Sequence, residues 1–366
     1  MSPQLLIVAD DLTGAADACA PFANRGLVAI VSLQRPDIPP CDVLAVSTES
    51  RALTREKSVA QVEMVLQKTL ADAGIRAPTL VYKKMDSTLR GHPGAELTAV
   101  MQSLGARRAL VAPAFPQQGR TTVSGRQQVE GFPIEDTEFG PESGGSDLAA
   151  VFDGVSPLPV IPLDLTTVRK GCEPVTQHFQ AEPAGIIVAD AENEQDLRTL
   201  AESALHAKVP VLCGSAGLAR ALAEIMPCAS QAPHPTTRER IEGPVLVIAG
   251  SRHRQTQRQV EAAQRANIAV MQVPEIFLGI PQEDPTSSDQ APPLAKLRRT
   301  PTLGLISQAK EYLLRRRDLV ITATGTPDSP RGAQAVAADL AELAATLLAD
   351  CTIGGLVLTG GEMASA

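Results

Sequence analysis

Apolar and polar positions along this chain fall in alternating blocks. Leu5-Leu6-Ile7-Val8-Ala9 is apolar without a break, the pattern of a strand buried on both faces of a parallel sheet. The run stops at two adjacent carboxylates, Asp10 and Asp11. Thr13 and Gly14 then open an Ala-rich segment with helical spacing as far as Asn24, stopped at Gly26. Strand, polar loop and helix recur in this way. Residues 27–33 and 42–47 read as strands, and 54–73 as a helix with Thr54 as its cap and Gly74 as its stop. A short strand at 79–82 runs into a polar loop, Lys83 to His92. Pro93 suits the first turn of a helix leading to the strand Arg108–Ala112.

From Pro113 to Gly140 the rhythm breaks into turn residues and charges, read as a hairpin or loop excursion, with a Gly/Ser-rich turn at 141–146. A buried strand returns at 185–190, a helix capped by Asn193 runs to about 207, and 211–213 leads into Gly214-Ser215-Ala216-Gly217. Residues 227–244 are rich in Pro, Thr and charge, the composition of a linker. Beyond it the alternation restarts with Val245–Ala249, a helix from about Gln255, strands near 268–273 and 319–324, an Ala/Leu-rich helix over 333–349 and the strand Gly355–Thr359. A Pro/Ser/Asp-rich loop covers 283–293. The pattern predicts the α/β class: two Rossmann-like domains with mainly parallel sheets and a cleft between them, at 1–226 and 245–366, joined by 227–244.

Composition narrows the function classes. A length of 366 residues fits two domains. The net charge of −8, the absence of Trp and the presence of only two Tyr argue against a nucleic-acid partner, which calls for a basic face and stacking platforms. No apolar run is long enough to span a bilayer, and the start lacks a basic leader, so no membrane partner and a cytoplasmic location are expected. The six cysteines (Cys19, Cys41, Cys172, Cys213, Cys228, Cys351) have no metal-ligand spacing and are expected as reduced, buried thiols. His92, His178, His206, His234 and His253 are dispersed with no H-E-x-x-H. His206 and His234 read as structural or solvated. His92 and His253 lie beside candidate loops but are not chosen as bases. No metal site built from side chains is expected.

Four loops of the first domain follow strands: Asp10/Asp11, Glu49 to Arg51, Lys83 to Gly91, and Pro113 to Arg120. Open α/β sheets bind ligands at such carboxyl ends. Arginines there would fork a carboxylate and aspartates would accept from hydroxyls, which suits a small polyhydroxy acid. One aspartate of the 10–11 pair would suffice as a helix cap. In the second domain Ala249-Gly250-Ser251 and Thr359-Gly360-Gly361-Glu362 are Gly-containing turns after strands, able to present backbone N–H groups to phosphates. No G-x-x-x-x-G-K-[ST] and no G-x-G-x-x-G after a strand is present, against an ordinary P-loop enzyme or a dinucleotide oxidoreductase. A haloacid-dehalogenase-type phosphatase is discounted, because an Asp two positions after Asp10 or Asp11 would fall on Leu12 or Thr13.

Taken together, these stretches resemble the four-carbon acid sugar kinase family. The resemblance rests on Ala9-Asp10-Asp11-Leu12-Thr13-Gly14-Ala15, Lys83-Lys84-Met85-Asp86-Ser87-Thr88-Leu89-Arg90-Gly91, Pro113-Ala114-Phe115-Pro116 with Gly119-Arg120-Thr121, Gly214-Ser215-Ala216-Gly217-Leu218-Ala219, Gly250-Ser251 and Leu358-Thr359-Gly360-Gly361-Glu362. It implies ATP-dependent phosphorylation of an acid such as threonate, erythronate or 3-oxo-tetronate, with Mg²⁺ on the phosphates. Asp10, Asp11, Arg51, Lys83, Asp86, Ser87, Arg90 and Gly91 would form the acid site. Ser251, Thr359, Gly360, Gly361 and Glu362 would form the nucleotide site. An aspartate would orient the attacking hydroxyl or take its proton, with Asp10 or Asp11 favoured over Asp86. Family members continue past the T-G-G-[DE] turn to a second Gly-rich loop of the K-S-G-G-F-G kind. Nothing here matches it, so the resemblance implies a nucleotide domain lacking one wall. The alternative reading is a sugar-acid-binding or regulatory protein with a defective nucleotide site. An apolar helix face is compatible with a homo-oligomer.

Overall fold

The computed structural model describes residues 3–33, 38–75, 80–227, 242–251, 254–273, 293–323 and 333–360. The chain divides into two units, Met1–His234 and Pro235–Ala366.

In the first unit the elements run β1 (Leu5–Ala9), α1 (Leu12–Asn24), β2 (Ala29–Ser32), β3 (Val43–Ser47), α2 (Arg55–Asp72), β4 (Leu80–Lys84), α3 (Pro93–Leu104) and β5 (Arg108–Ala112). Three short strands follow, β6 (Arg120–Val123), β7 (Arg126–Val129) and β8 (Phe132–Pro133). The unit finishes with α4 (Leu148–Phe152), β9 (Val160–Leu163), α5 (Leu165–Val168), α6 (Cys172–Ala181), β10 (Gly185–Ala189), α7 (Glu194–His206), β11 (Val211–Gly214) and α8 (Ala216–Ile225). Eight of the strands form one sheet in the order β2-β3-β1-β4-β11-β5-β10-β9. Every pairing in it is parallel; β1, for instance, sets Ile7 against Ala45 on one side and Tyr82 on the other.

Helices cover both faces. Ala15, Ala18 and Phe22 of α1 share one core with residues of α6, α7 and α8. Val62 and Leu66 of α2, Leu97 and Val100 of α3 and Phe152 of α4 fill the other. The chain therefore leaves β1 toward one face and leaves its neighbours β3 and β4 toward the opposite face. That arrangement opens a crevice at the carboxyl end of β1, the switch point at which such sheets bind ligands.

The excursion after β5 is a small antiparallel sheet of β6, β7 and β8. Two stretches of the first unit differ from the pattern read in the sequence. β4 continues through Lys83 and Lys84, which the polarity of those residues had assigned to a loop. Residues 147–184, which the pattern left unassigned, contain short helices and β9; this strand tolerates Pro162 because it lies at the sheet edge.

The second unit contains β12 (Val245–Ala249), α9 (Arg254–Arg265), β13 (Ala269–Gln272), α10 (Pro293–Leu314), β14 (Leu319–Thr322), α11 (Ala333–Asp350) and β15 (Gly355–Thr359). Its sheet is parallel, ordered β13-β14-β12-β15. In its core Leu246, Ile248 and Ile321 pack on Ala309 and Leu313 of α10 and on Leu340, Leu343 and Leu347 of α11. The helix α10 has no counterpart in the sequence reading. Most of the 227–244 linker, the 283–292 part of the loop, Cys228, His234 and His253 lie outside the described residues.

Of the cysteines, Cys19, Cys213 and Cys351 are buried, whereas Cys41 and Cys172 are only half-buried; all five are free thiols. Burial pushes Cys19 and Cys213 up to about 12, which leaves both protonated and unreactive at neutral pH. Among the described residues no helix is long and apolar enough to cross a membrane.

Candidate active site

Three loops meet at the carboxyl ends of β1, β3 and β4. Asp11 caps α1, its Oδ1 accepting from Gly14 N at 2.6 Å and its Oδ2 from Thr13 Oγ1 at 2.9 Å. Gly14 is required by close approach: a Cβ there would run into Asp11 Oδ1 and lie 3.2 Å from Lys84 Nζ. One carboxylate of the pair thus does serve as a cap. Asp10 beside it takes the fork of Arg51, from Nε to Oδ2 at 2.8 Å and from Nη2 to Oδ1 at 2.9 Å. The remaining Arg51 nitrogen, Nη1, donates to Asp11 Oδ2. Arg51 is held in reach because Ser50 N and Arg51 N both donate to Asp10 O, at 2.9 and 3.3 Å.

The loop after β4 adds a second fork. Arg90 donates from Nε and Nη2 to the two oxygens of Asp86, each at 3.0 Å, and Thr88 donates to Asp86 through both its backbone N (3.1 Å) and its hydroxyl. Asp86 Oδ1 also lies 4.0 Å from Arg51 Nη2. Leu89, fully buried, adopts φ +60 in this loop, a conformation an apolar side chain adopts only under constraint. Burial alone would raise Asp10 and Asp86. The guanidiniums outweigh it: Arg51, with Lys83 and Lys84 behind it, lowers Asp10, and Arg90, Arg51 and the Thr88 hydroxyl hold Asp86 well below the usual carboxylate range. Both carboxylates are therefore ionised acceptors.

Lys83, expected to line the substrate loop, is placed elsewhere. It is completely buried in β4, with Nζ 2.8 Å from Glu96 Oε2 on α3 and 2.9 Å from Lys84 O. Burial disfavours its charge, but Glu96 first and Asp10 next raise it, so it remains an ammonium. Glu96 Oε1 accepts from Ser50 Oγ at 2.6 Å, and Ser50 Oγ in turn lies 2.7 Å from Thr48 Oγ1. This buried chain supports the loop that carries Arg51.

Ser87 is half-buried, and its carbonyl accepts from Gln127 Nε2 of β7 at 2.9 Å. A Cβ at Gly91 would touch Arg51 Cα at 3.5 Å. His92 lies at the start of α3 with Nε2 2.9 Å from Leu53 O. The Gly214–Ser215–Ala216–Gly217 turn is packed rather than open: Ser215 Oγ donates to Ala114 O at 2.7 Å, and Tyr82 donates its hydroxyl to Ser215 O.

In the second unit β12 and β15 are adjacent, and their carboxyl ends bring Ser251, Thr359 and Gly360 together. Gly250 N donates to Thr359 O at 3.2 Å. Gly360 has φ +104, and a Cβ on it would meet Ser251 Cβ at 3.2 Å and Ser251 N at 3.3 Å. Thr359 Oγ1 is buried with no hydrogen-bond partner among the described residues. A glycine turn at strand ends beside an unsatisfied hydroxyl has the chemistry of a phosphate cradle. Gly361 and Glu362 lie outside the described residues. Among those residues no three His, Cys, Asp or Glu side chains are grouped to hold a metal ion.

Sequence reasoning did not single out Glu96, Ser50 or Gln127, whose contacts with Lys83 Nζ, Glu96 Oε1 and Ser87 O respectively join residues far apart along the chain. Arg120 lay inside one of the motif stretches but received no role.

Family comparison agrees with this division. Residues 5–222 match a sugar-binding N-terminal domain and residues 246–366 a nucleotide-binding C-terminal domain. The chain is 32% identical over 376 residues to D-threonate kinase of Salmonella typhimurium, covering 99% of this chain and 85% of that protein. It is 31% identical over 278 residues to 3-oxo-tetronate kinase of Methylobacterium radiotolerans, covering 72% and 65%. A crystal structure of a domain of unknown function from Bordetella bronchiseptica, a domain-swapped dimer with bound citrate, matches with a TM-score of 0.53 and 27% identity over 100% of this chain and 85% of that one. With both domain types in order and 99% of this chain matched to a D-threonate kinase, the chain belongs to the four-carbon acid sugar kinase family.

Proposed function

We propose that this protein is an ATP-dependent kinase that phosphorylates a hydroxyl of a four-carbon sugar acid of the threonate, erythronate or 3-oxo-tetronate type. The observation that carries the reading is the cluster Asp10, Asp11, Arg51, Asp86 and Arg90 at the carboxyl ends of β1, β3 and β4. Citrate bound to the Bordetella relative, a hydroxylated polycarboxylate, supports a ligand of this class.

The chemistry follows from what each residue has left to offer. Asp10 accepts two bonds from Arg51, leaving acceptor capacity on both oxygens for a sugar hydroxyl. Because Asp10 is held below the ordinary carboxylate range, it is a weak base and acts mainly by orienting that hydroxyl. Phosphoryl transfer tolerates this, since positioning and charge neutralisation dominate its barrier. Asp86 accepts from a further hydroxyl, and Arg51 and Arg90 keep both carboxylates fixed and ionised. ATP supplies the phosphoryl group, with Mg²⁺ as the counter-ion of its phosphates. Ser251, Thr359 and Gly360 would receive those phosphates, the Thr359 hydroxyl gaining the partner it lacks. The same reading gives a cytoplasmic enzyme whose partner is a small molecule, and the domain-swapped dimer of the relative supports a homo-oligomer.

An assay of ADP formation with Mg-ATP and a panel of threonate, erythronate and 3-oxo-tetronate isomers tests the proposal. Turnover dependent on one of these acids is expected. Acid binding without any turnover across the panel would instead leave a sugar-acid-binding protein, and the kinase reading would fall.

A further inference from the structure

We propose that Arg120 reads the carboxylate of the sugar acid, so that the β6–β8 sheet, rather than Arg51 or Arg90, separates acids from neutral polyols. This rests on the functional reading above and deepens it.

Three arginines surround the aspartates, and two are already committed. Arg51 is forked on Asp10 and bonded to Asp11. Arg90 is forked on Asp86, with Glu142 3.7 Å away on its other side. A ligand carboxylate approaching either would have to displace a fixed protein carboxylate with two bonds in place. Arg120 is different. Its Nη1 donates to two neutral oxygens of Gln118, the carbonyl at 2.6 Å and Oε1 at 2.9 Å. Its guanidinium lies over the ring of Phe139, 5.6 Å from the centroid. No carboxylate is in ion-pair contact with it among the described residues, and its Nε–H is shielded from solvent with no acceptor. Nε and Nη2 form the side-on edge by which a guanidinium takes a carboxylate through two parallel bonds. A partly buried cation with an unsatisfied donor on that edge gains from a ligand carboxylate what the other two arginines already have. Burial disfavours the Arg120 charge in the meantime.

The surrounding structure holds Arg120 next to the cluster. Its backbone pairs in both directions with Phe115. The turn between β6 and β7 is clamped by Asp190 at the end of β10, which accepts from Ser124 N at 2.9 Å and Gly125 N at 2.8 Å. Gln127 of β7 donates to Ser87 O in the loop that carries Asp86 and Arg90. Asp86 and Arg90 both lie within electrostatic reach of Arg120. Electrostatics then orients the substrate: three aspartates repel a carboxylate and accept hydroxyls, so the acid's charged end is turned toward the one of these three arginines that no carboxylate contacts, Glu130 and Glu138 acting on it only at longer range.

Calorimetric titration of the full chain with threonate and with threonamide, its neutral isostere, tests this without requiring turnover. The wild-type protein is expected to prefer the acid. Arg120→Ala is expected to weaken threonate binding at least tenfold and to leave threonamide binding unchanged, so the acid-to-amide ratio collapses. Arg120→Lys, which keeps the charge but not the fork, is expected to fall between the two and carries the test should the alanine variant fail to fold. A wild-type ratio in the folded variants overturns the inference alone. Failure of the wild-type protein to bind any four-carbon acid overturns the functional reading, and this inference with it.

Discussion

Asp10 and Arg51 form the most consequential pair at the residue scale, because both sides are shielded and each satisfies the other. Asp10→Asn preserves the shape but removes the charge that orients the substrate hydroxyl. The expected outcome is a fall in kcat of roughly 10²- to 10³-fold with a smaller change in KM, measured by ADP release under saturating Mg-ATP; an unchanged kcat would remove Asp10 from the reaction. Asp86 gives a pH signature. Its folded carboxyl is held below the value of about 3.9 it has in the unfolded chain. Such a group contributes stability that is fully present above the unfolded value and is lost as pH falls through the interval toward the folded one. The difference in unfolding free energy between wild type and Asp86→Asn should therefore be flat above about pH 5 and shrink below about pH 4. Urea titrations across that range decide it, and a difference that stays constant into strong acid would disconnect Asp86 from the linkage.

Between elements, the buried pair Lys83–Glu96 joins β4 to α3 and, through Ser50, the loop that carries Arg51. Removing one partner leaves a charge without compensation in the core. Glu96→Gln should destabilise by about 3–5 kcal/mol, whereas Lys83→Met combined with Glu96→Leu should recover most of that loss. If the double variant is no more stable than the single one in urea unfolding, the pair contributes through packing instead. The same pair explains where the sequence was legible. Arg108–Ala112, Val245–Ala249 and Gly355–Thr359 were read to the residue because an unbroken apolar run between polar turns admits little else. The strand β4 was cut short because two lysines read as surface, and the partner that makes Lys83 a core residue lies on the next helix. Non-local compensation of this kind leaves no periodic trace. In the same way β9, with a proline at a sheet edge, and the short helices beside it offer too few periods to register. The loops holding Asp10, Asp11, Arg51, Asp86 and Arg90 were legible because each follows a buried strand. That Arg51 and Arg90 are spent on those aspartates was not, since pairing depends on side-chain geometry.

Across the whole molecule the two units have separate cores, one pair of apolar layers around the eight-stranded sheet and another cluster around the four-stranded one. Each of these clusters, among the described residues, is drawn from one unit. Cooperative unfolding follows the packed core, so scanning calorimetry of the full chain should resolve two transitions. Ligands then act as labels, because a molecule that binds only the folded form of a unit stabilises that unit alone. At a concentration of about 100 times its Kd, a ligand adds roughly 2.7 kcal/mol, which for a unit of this size is a rise of about 5–10 °C. Threonate or its isomer should raise one transition, the one assigned to Met1–His234 by its loss of response in Asp86→Asn, and an Mg-ATP analogue should raise the other. A single transition moved by either ligand would mean that the units unfold together. Two transitions with no response to nucleotide would leave the acid site standing and withdraw the phosphate cradle at Ser251, Thr359 and Gly360.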